Sequence, residues 1–384
     1  MHVRVHALPR WSSVNLASAK ASDRTHQRHA FVARDKPLCD VPLSGNTGLI
    51  EAVRTKSPAD LGAFVSRIRV YFISDQDDTG PWSQRNFPTR RHIASIHGFN
   101  QYLVAEWTGM SSTSADPGGP HSELVSQEWL SENIRVGPLG EHCPEIEFSV
   151  EGDTPALLFN VPNGLGDPEH PDWGSWGGRY TSNTLGGSAR YGDVVDVAQY
   201  FNGQNFLINH ASVWRWRDAV QHGFAARMQW TLRPRNANST KSSFTTAMNV
   251  NGSCGSAALL LTAEAGETVT LDASETYSPD DDTHLNFTWC QYYEPSSHQS
   301  SPSELPLVNL TGIYGLCGNV VKFTVLVGYE ECVRAEDVTE SGHRERKSKC
   351  PIFHVIVEAR DASALHSITR YRRVLPHLQP HERV

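Results

Sequence analysis

Apolar residues recur in two rhythms along this chain, and the change of rhythm divides it. The first is helical, then continuous. Ser57, Pro58, Ala59 and Asp60 predict a helix start: Ser as cap, Pro at the first helical position, an acid near the positive end. Leu61, Phe64, Val65 and Ile68 follow at spacings of three and four, which gives one apolar face. Residues 69–74 then read as a strand, because Val70, Tyr71, Phe72 and Ile73 are continuously apolar. A helix followed by a strand buried on both faces predicts an α/β unit with a mostly parallel sheet. The pattern returns as a helix over 122–134, with Leu124, Val125, Trp129 and Leu130 on its packed face, and a strand over 146–150. A further helix over 212–228 carries Val213, Trp216, Val220 and Phe224 toward a core.

After Trp230 the rhythm becomes two. Residues 234–257 are rich in Ser, Thr, Asn and Gly, a linker composition. Beyond them Val269, Leu271 and Ala273 share one strand face, and Leu285, Phe287, Trp289, Gln291 and Tyr293 share another. Asn286 and Cys290 then point the other way, which makes Cys290 a poor partner for a buried inter-sheet disulfide. Strands also fit 257–261, 320–327 and 353–359, and short strands between turns predict an all-β sandwich. The division expected is an unstructured or non-native segment over 1–35, an α/β domain over 36–232, a linker over 233–256, a sandwich over 257–376 and a tail over 377–384.

Composition narrows the class. A chain of 384 residues has room for two cores, and 39% hydrophobic with 20% charged residues is globular rather than disordered. A net charge of −8 excludes broad attraction to nucleic acid, and a short basic tail at Arg370, Arg372 and Arg373 does not change that. No apolar run reaches the roughly 18–20 residues of a membrane span. Of the 7 cysteines, Cys254, Cys290, Cys317, Cys332 and Cys350 crowd the last third, where the sequons at Asn238, Asn251, Asn286 and Asn309 also fall. Both features suit an oxidising compartment, although residues 1–35 hold no signal-peptide h-region. Cys332 and Cys350 flank a charged surface insertion that a disulfide would close, contributing about 3 kcal/mol.

Candidate chemistry gathers at two strand ends and one loop. Asp75, Asp77 and Asp78 begin where the first strand ends, and Glu151 and Asp153 follow the second. Ligands of open parallel sheets sit outside the carboxyl ends of the strands, so acids there invite a cation or sugar hydroxyls. The plain alternatives are a solvated loop capped by Asp78 and a polar turn built on Asp153. Trp173, Trp176, Arg179 and Tyr180, spaced by glycines, suit a loop that offers flat faces to a sugar or base, or an Ω-loop packed by its own aromatics. Asn163 and Asp167 lie just upstream. No GxSxG elbow, Walker loop, HExxH or GxGxxG occurs, and the 18 histidines are scattered.

The run from Ile73 to Trp82 (ISDQDDTGPW), the run Glu151-Gly152-Asp153-Thr154-Pro155, the run Trp176-Gly177-Gly178-Arg179-Tyr180 and the helix Ala211 to Arg217 (ASVWRWR) resemble one family. So do Gly266 to Ser274 (GETVTLDAS) and Thr369 to Val374 (TRYRRV). The family is the cellulose-binding proteins with a nucleoside-hydrolase-like domain and an Ig-like second domain, and the similarity runs from about Pro37 to about Leu375. The resemblance implies an α/β fold that acts on or binds glycosyl groups, export from the cell, and substrate contacts at Asn46, Asp75, Asp77, Asp78, Trp82, Trp107, Glu151, Asn163, Trp173, Trp176, Arg179 and Tyr180. It also implies a calcium site, for which Asp153 resembles the late ligand. The early Asp-rich loop that supplies the base and most metal ligands belongs before Pro37, where this chain shows no counterpart. No catalytic residue is assigned. The readings that stand are a hydrolase of N-glycosyl bonds, which needs that loop in the full protein, and a non-catalytic secreted binder of carbohydrate or a nucleoside-like ligand.

Overall fold

In the computed structural model the described residues are 29–33, 55–66, 68–72, 79–95, 119–146, 154–182, 189–199, 205–232, 247–278, 284–296, 307–312, 318–325, 352–362 and 365–378. The first elements are β1 (His29–Ala33), α1 (Pro58–Ser66), β2 (Ile68–Phe72), α2 (Thr79–Asn86), β3 (His92–Ala94), α3 (Gln127–Asn133) and α4 (Gly137–Gly140). Next come α5 (Thr154–Phe159), β4 (Tyr180–Ser182), β5 (Arg190–Asp193), β6 (Asp196–Gln199), β7 (Asn205–Ile208), α6 (Ala211–Trp214) and α7 (Arg217–Thr231). The remaining strands are β8 (Asn249–Val250), β9 (Ser253–Cys254), β10 (Leu259–Ala263), β11 (Thr268–Asp272) and β12 (Leu285–Gln291). Helix α8 (Tyr293–Ser296) precedes β13 (Thr311–Gly312), β14 (Val320–Thr324), β15 (Val355–Asp361) and β16 (Arg370–Leu378). The chain forms two compact units: residues 1–130, 144–161 and 168–218, and residues 131–143, 162–167 and 219–384.

The first unit is built on a five-stranded sheet of order β1-β2-β3-β5-β4. The β2, β3 and β5 ladders are parallel, while β1 and β4 are antiparallel edges, so the sheet is mixed. Strand β1 lies in the segment expected to be unstructured, and it covers one edge of β2. Helix α1 begins as its sequence dictates. The Ser57 hydroxyl accepts from the Asp60 amide at 3.3 Å and donates to the Asp60 carboxylate at 2.6 Å. Ile68 departs from expectation: the helix stops at Ser66 and Ile68 opens β2. Phe64 and Val65 pack against Val70 and Ala94 on one sheet face. On another cluster Tyr71, Ile93, Phe159 and Tyr180 are buried together.

The second unit has a four-stranded sheet, β10-β16-β15-β12, and a three-stranded sheet, β11-β14-β13. Leu271, Ala273, Val321 and Phe323 from the smaller sheet share one core with Val355, Val357, Ala359 and Val374 from the larger. The two sheets thus share one core in a unit that also contains most of α7. The alternation holds along β12, where Asn286, Thr288 and Cys290 are exposed and Phe287 and Trp289 are partly buried. Cys254 is a free thiol. Strand β10 is less buried than its apolar sequence suggests, with Leu260 72% exposed, because it forms the sheet's edge. Phe224, expected in a core, is 42% exposed on α7, while Val213, Trp216 and Val220 are buried.

Two further expectations change. Part of the linker range pairs as the hairpin of β8 and β9. The supposed basic tail is β16, in which Arg372 and Arg373 are buried at 3% and 1% exposure. Their planar guanidinium groups offset much of the cost of this burial by donating to backbone carbonyls. Arg373 donates to Leu165 O from Nε and Nη2 at 3.1 and 2.8 Å, and Arg372 donates to Ser253 O and Gly255 O. The Tyr371 amide donates to Asn163 O, which ties residues 162–167 to this unit.

Candidate functional site

In the first unit the ladders put Phe72, Ala94 and Gly192 in one row near the carboxyl ends of β2, β3 and β5. One residue further lie Ser95 and Asp193. Ser95 Oγ donates to Asp193 Oδ2 at 3.1 Å, and Asn209 Nδ2, just after β7, donates to the same oxygen at 2.7 Å. All three are largely buried, at 2%, 9% and 6% exposure. A carboxylate in that position would be costly without partners, and these donors both stabilise and orient it. The arrangement is a fixed anionic group at the edge where open sheets receive ligands.

A second buried carboxylate braces the region. Asp196, fully buried, receives Arg179 Nε at 2.8 Å and Nη2 at 2.6 Å, while Arg215 Nη2 lies 3.3 Å from its other oxygen. Arg179 also donates to Val195 O, and its amide donates to Ser212 Oγ. The guanidinium expected to meet a ligand is therefore committed to Asp196 of β6 and the Val195 carbonyl, while its backbone amide ties it to α6.

The aromatic loop is likewise turned inward. Ser175 and Gly178 exchange amide-to-carbonyl bonds at 3.0 and 3.2 Å, which closes a tight turn, and Gly178 takes φ 105°. Gly177 lies against α5 so closely that a Cβ there would fall on the Pro155 carbonyl and the Phe159 amide. Tyr180 Oη donates to Gly177 O at 2.8 Å, and Tyr71 Oη lies 3.3 Å from the same oxygen. Trp176 and Tyr180 are 3% and 0% exposed, so neither presents a face to a sugar. Trp173 is half-buried and stacks on the His170 ring at 3.9 Å and 6°. Trp82 is half-buried against Phe87 and the Val70–Ala94 cluster. In the second unit Asn163 is buried; its Oδ1 accepts from the Leu165 amide in an Asx turn. Asn46, Asp75, Asp77, Asp78, Trp107, Glu151 and Asp153 lie outside the described residues.

Ser95, Asp193 and Asn209 escaped the sequence reading because the strands that carry them are too short for periodicity. Strand β3 has three residues and β5 reads Arg-Tyr-Gly-Asp. Among the described residues no group of three or more His, Cys, Asp or Glu is placed to hold a metal ion. No described helix is long and apolar enough to cross a membrane.

Comparison with known proteins gives a consistent picture. A family model described as "Cellulose-binding Sde182, nucleoside hydrolase-like domain" matches residues 16–180, and one described as "Cellulose-binding protein Sde0182, C-terminal domain" matches residues 268–377. The first match begins well before Pro37 and takes in β1. A solved structure of a nucleoside hydrolase-related hypothetical protein from Saccharophagus degradans, described as associated with carbohydrate metabolism, is similar with a TM-score of 0.58 and 26% identity. That similarity covers 86% of this chain and 67% of the other. No curated protein matches.

Proposed function

We propose that this chain, which belongs to the cellulose-binding Sde182 family with a nucleoside-hydrolase-like domain, is a carbohydrate-associating protein that receives a glycosyl ligand at the carboxyl edge of β2, β3 and β5. The observation that carries the reading is the meeting of Ser95, Asp193 and Asn209 at that edge. A carboxylate held in place by two donors is a ready acceptor for sugar hydroxyls, and it restricts the orientation of the ring that enters. The family's cellulose association makes β-linked glucan the first ligand to try, and an extracellular setting accords with it.

Cleavage of a glycosyl bond is the second reading. It is favoured by chain order: Asp75 stands three residues after the end of β2, so connectivity alone keeps it within about 11 Å of the strand end. We propose Asp75, Asp77, Asp78, Glu151 and Asp153 as the acids that would complete such a site, with an activated water attacking the anomeric carbon. Calcium is proposed on the same residues. The described residues at this edge supply one carboxylate, Asp193, which falls short of the six to eight oxygens calcium takes, so no step is routed through a metal.

The test is retention of the full chain on microcrystalline cellulose, with a reducing-sugar assay on cello-oligosaccharides and ribonucleosides, each with and without calcium. Retention without release supports binding alone. Release abolished by Asp193→Ala supports the hydrolase, and neither retention nor release overturns both readings.

A further inference from the structure

Strands β6 and β7 form a two-stranded hairpin in the first unit, and its two faces differ. One face turns inward: Asp196 is fully buried against Arg179 and Arg215, and Ile208 packs on Ala211 and Trp214 of α6. The ladder pairs Val197 with Leu207, and side chains alternate along a strand, so Val195, Val197, Asn205 and Leu207 fall on the other face. That face is open. Val195, Val197 and Leu207 are 50%, 41% and 76% exposed, and Asn205 is exposed as well. None of the four carries a charge. Apolar side chains exposed together on one face, rather than scattered singly, mark a contact surface.

Chain order points to what that surface contacts. Both ends of the hairpin return to the carboxyl edge: Asp193 lies two residues before Val195 and Asn209 two after Leu207, and Asn209 Nδ2 donates to Asp193 Oδ2 at 2.7 Å. Connectivity alone keeps Val197 within about 14 Å of Asp193 and Leu207 within about 7 Å of Asn209. A chain of several sugar rings seated at that edge is long enough to lie along the hairpin. A second copy of this protein is the poorer occupant, because three side chains fall far short of the roughly 800 Å² per partner that a stable interface buries. A β-linked glucan also suits the face chemically. Its hydroxyls are equatorial, so each ring has C–H groups on its faces and hydroxyls at its rim. The C–H faces gain by leaving water for valine and leucine, while rim hydroxyls donate to a fixed carboxylate.

We infer that the outward face of β6 and β7, through Val195, Val197 and Leu207, is an extended subsite for a β-glucan chain and makes the carboxyl edge prefer long chains over short ones. This rests on the carbohydrate reading of that edge and adds the length class of its ligand.

Calorimetric titration of the full chain with cellobiose and cellohexaose tests it. Cellohexaose is expected to bind about ten-fold tighter or more. The double variant Val197→Thr, Leu207→Thr keeps β-branched residues that favour a strand, and it is expected to lower the ratio of the two affinities by about ten-fold. Should it fail to fold, Leu207→Thr alone decides by the same ratio, because a side chain 76% exposed adds little to folding. An unchanged ratio in the folded variant, or equal affinity of the parent chain for both sugars, would overturn the inference while leaving the Asp193 edge as a carbohydrate site. Failure of the parent chain to bind either sugar would overturn both. A parent dimer, seen by sedimentation, that the double variant dissolves without changing the ratio would make the face a contact between copies and overturn the inference alone.

Discussion

Gly177→Ala separates the two meanings of the aromatic loop. The glycine sits where the loop touches α5, and the contact is with backbone: an added Cβ would overlap the Pro155 carbonyl oxygen and the Phe159 amide and stand 2.7 Å from Phe159 Cα. Ordinary contact needs at least 3.4 Å, and a helix backbone cannot swing aside as a side chain can. The loop must lift by roughly 1 Å, a strain of about 1–3 kcal/mol. Lifting also disturbs Gly177 O, which accepts from Tyr180 Oη. A buried hydrogen bond of that kind is worth about 1 kcal/mol. The expected loss is therefore about 2–4 kcal/mol of unfolding free energy, read by urea denaturation through tryptophan fluorescence, for which buried Trp176 is a local reporter. Gly62→Ala is the matched control. Its Cβ meets nothing, and it replaces a helical glycine, so it is expected to stabilise by about 1 kcal/mol. If Gly177→Ala were as stable as the parent chain, the loop would not be pinned to α5, and Trp176 would return as a ligand contact.

Other outcomes follow from the same geometry. His92 has a folded pKa of about 3 and an ordinary value of 6.5, so the unfolded chain binds the extra proton between them and stability falls as pH drops through that window. Between pH 6.5 and 5 the His92 contribution is about 2 kcal/mol, measurable as a slope in denaturation midpoint that His92→Gln removes. Asp196→Asn leaves Arg179 and Arg215 without their carboxylate and is expected to cost about 3–5 kcal/mol, whereas a loss under 1 kcal/mol would mean the triad is solvated. If the chain is expressed through a secretory pathway, glycopeptide mass spectrometry is expected to find glycan at exposed Asn286 and Asn309. Asn251 is expected to stay bare, because its amide donates to Thr270 O and accepts from the Asp272 amide.

How much was legible in the sequence depended on length of pattern. Helix α1 and its cap could be read from Ser57, Pro58 and Asp60, and the strand faces from alternation at Val269, Leu271 and Phe287, because each pattern runs through several residues. The edge that carries Asp193 could not, since β3 and β5 owe their place to neighbouring strands rather than to any run of their own. The loop around Trp176 leaves two readings open in sequence for a different reason. Glycines beside tryptophans read equally well as a flexible platform or as close approach of backbone to a helix, and only the position of α5 decides between them. Arg372 and Arg373 looked like surface charge because nothing in sequence shows the carbonyls that receive them.

The most direct test of the central claim is calorimetric titration of cellohexaose into the full chain and into Asp193→Ala, with unfolding curves confirming that both are folded. The account predicts binding by the parent chain and a loss of about ten-fold or more in the variant, the order expected when a charged hydrogen-bond acceptor is removed from a ligand site. Equal affinity in the two folded proteins would contradict it and move the carbohydrate site away from the carboxyl edge.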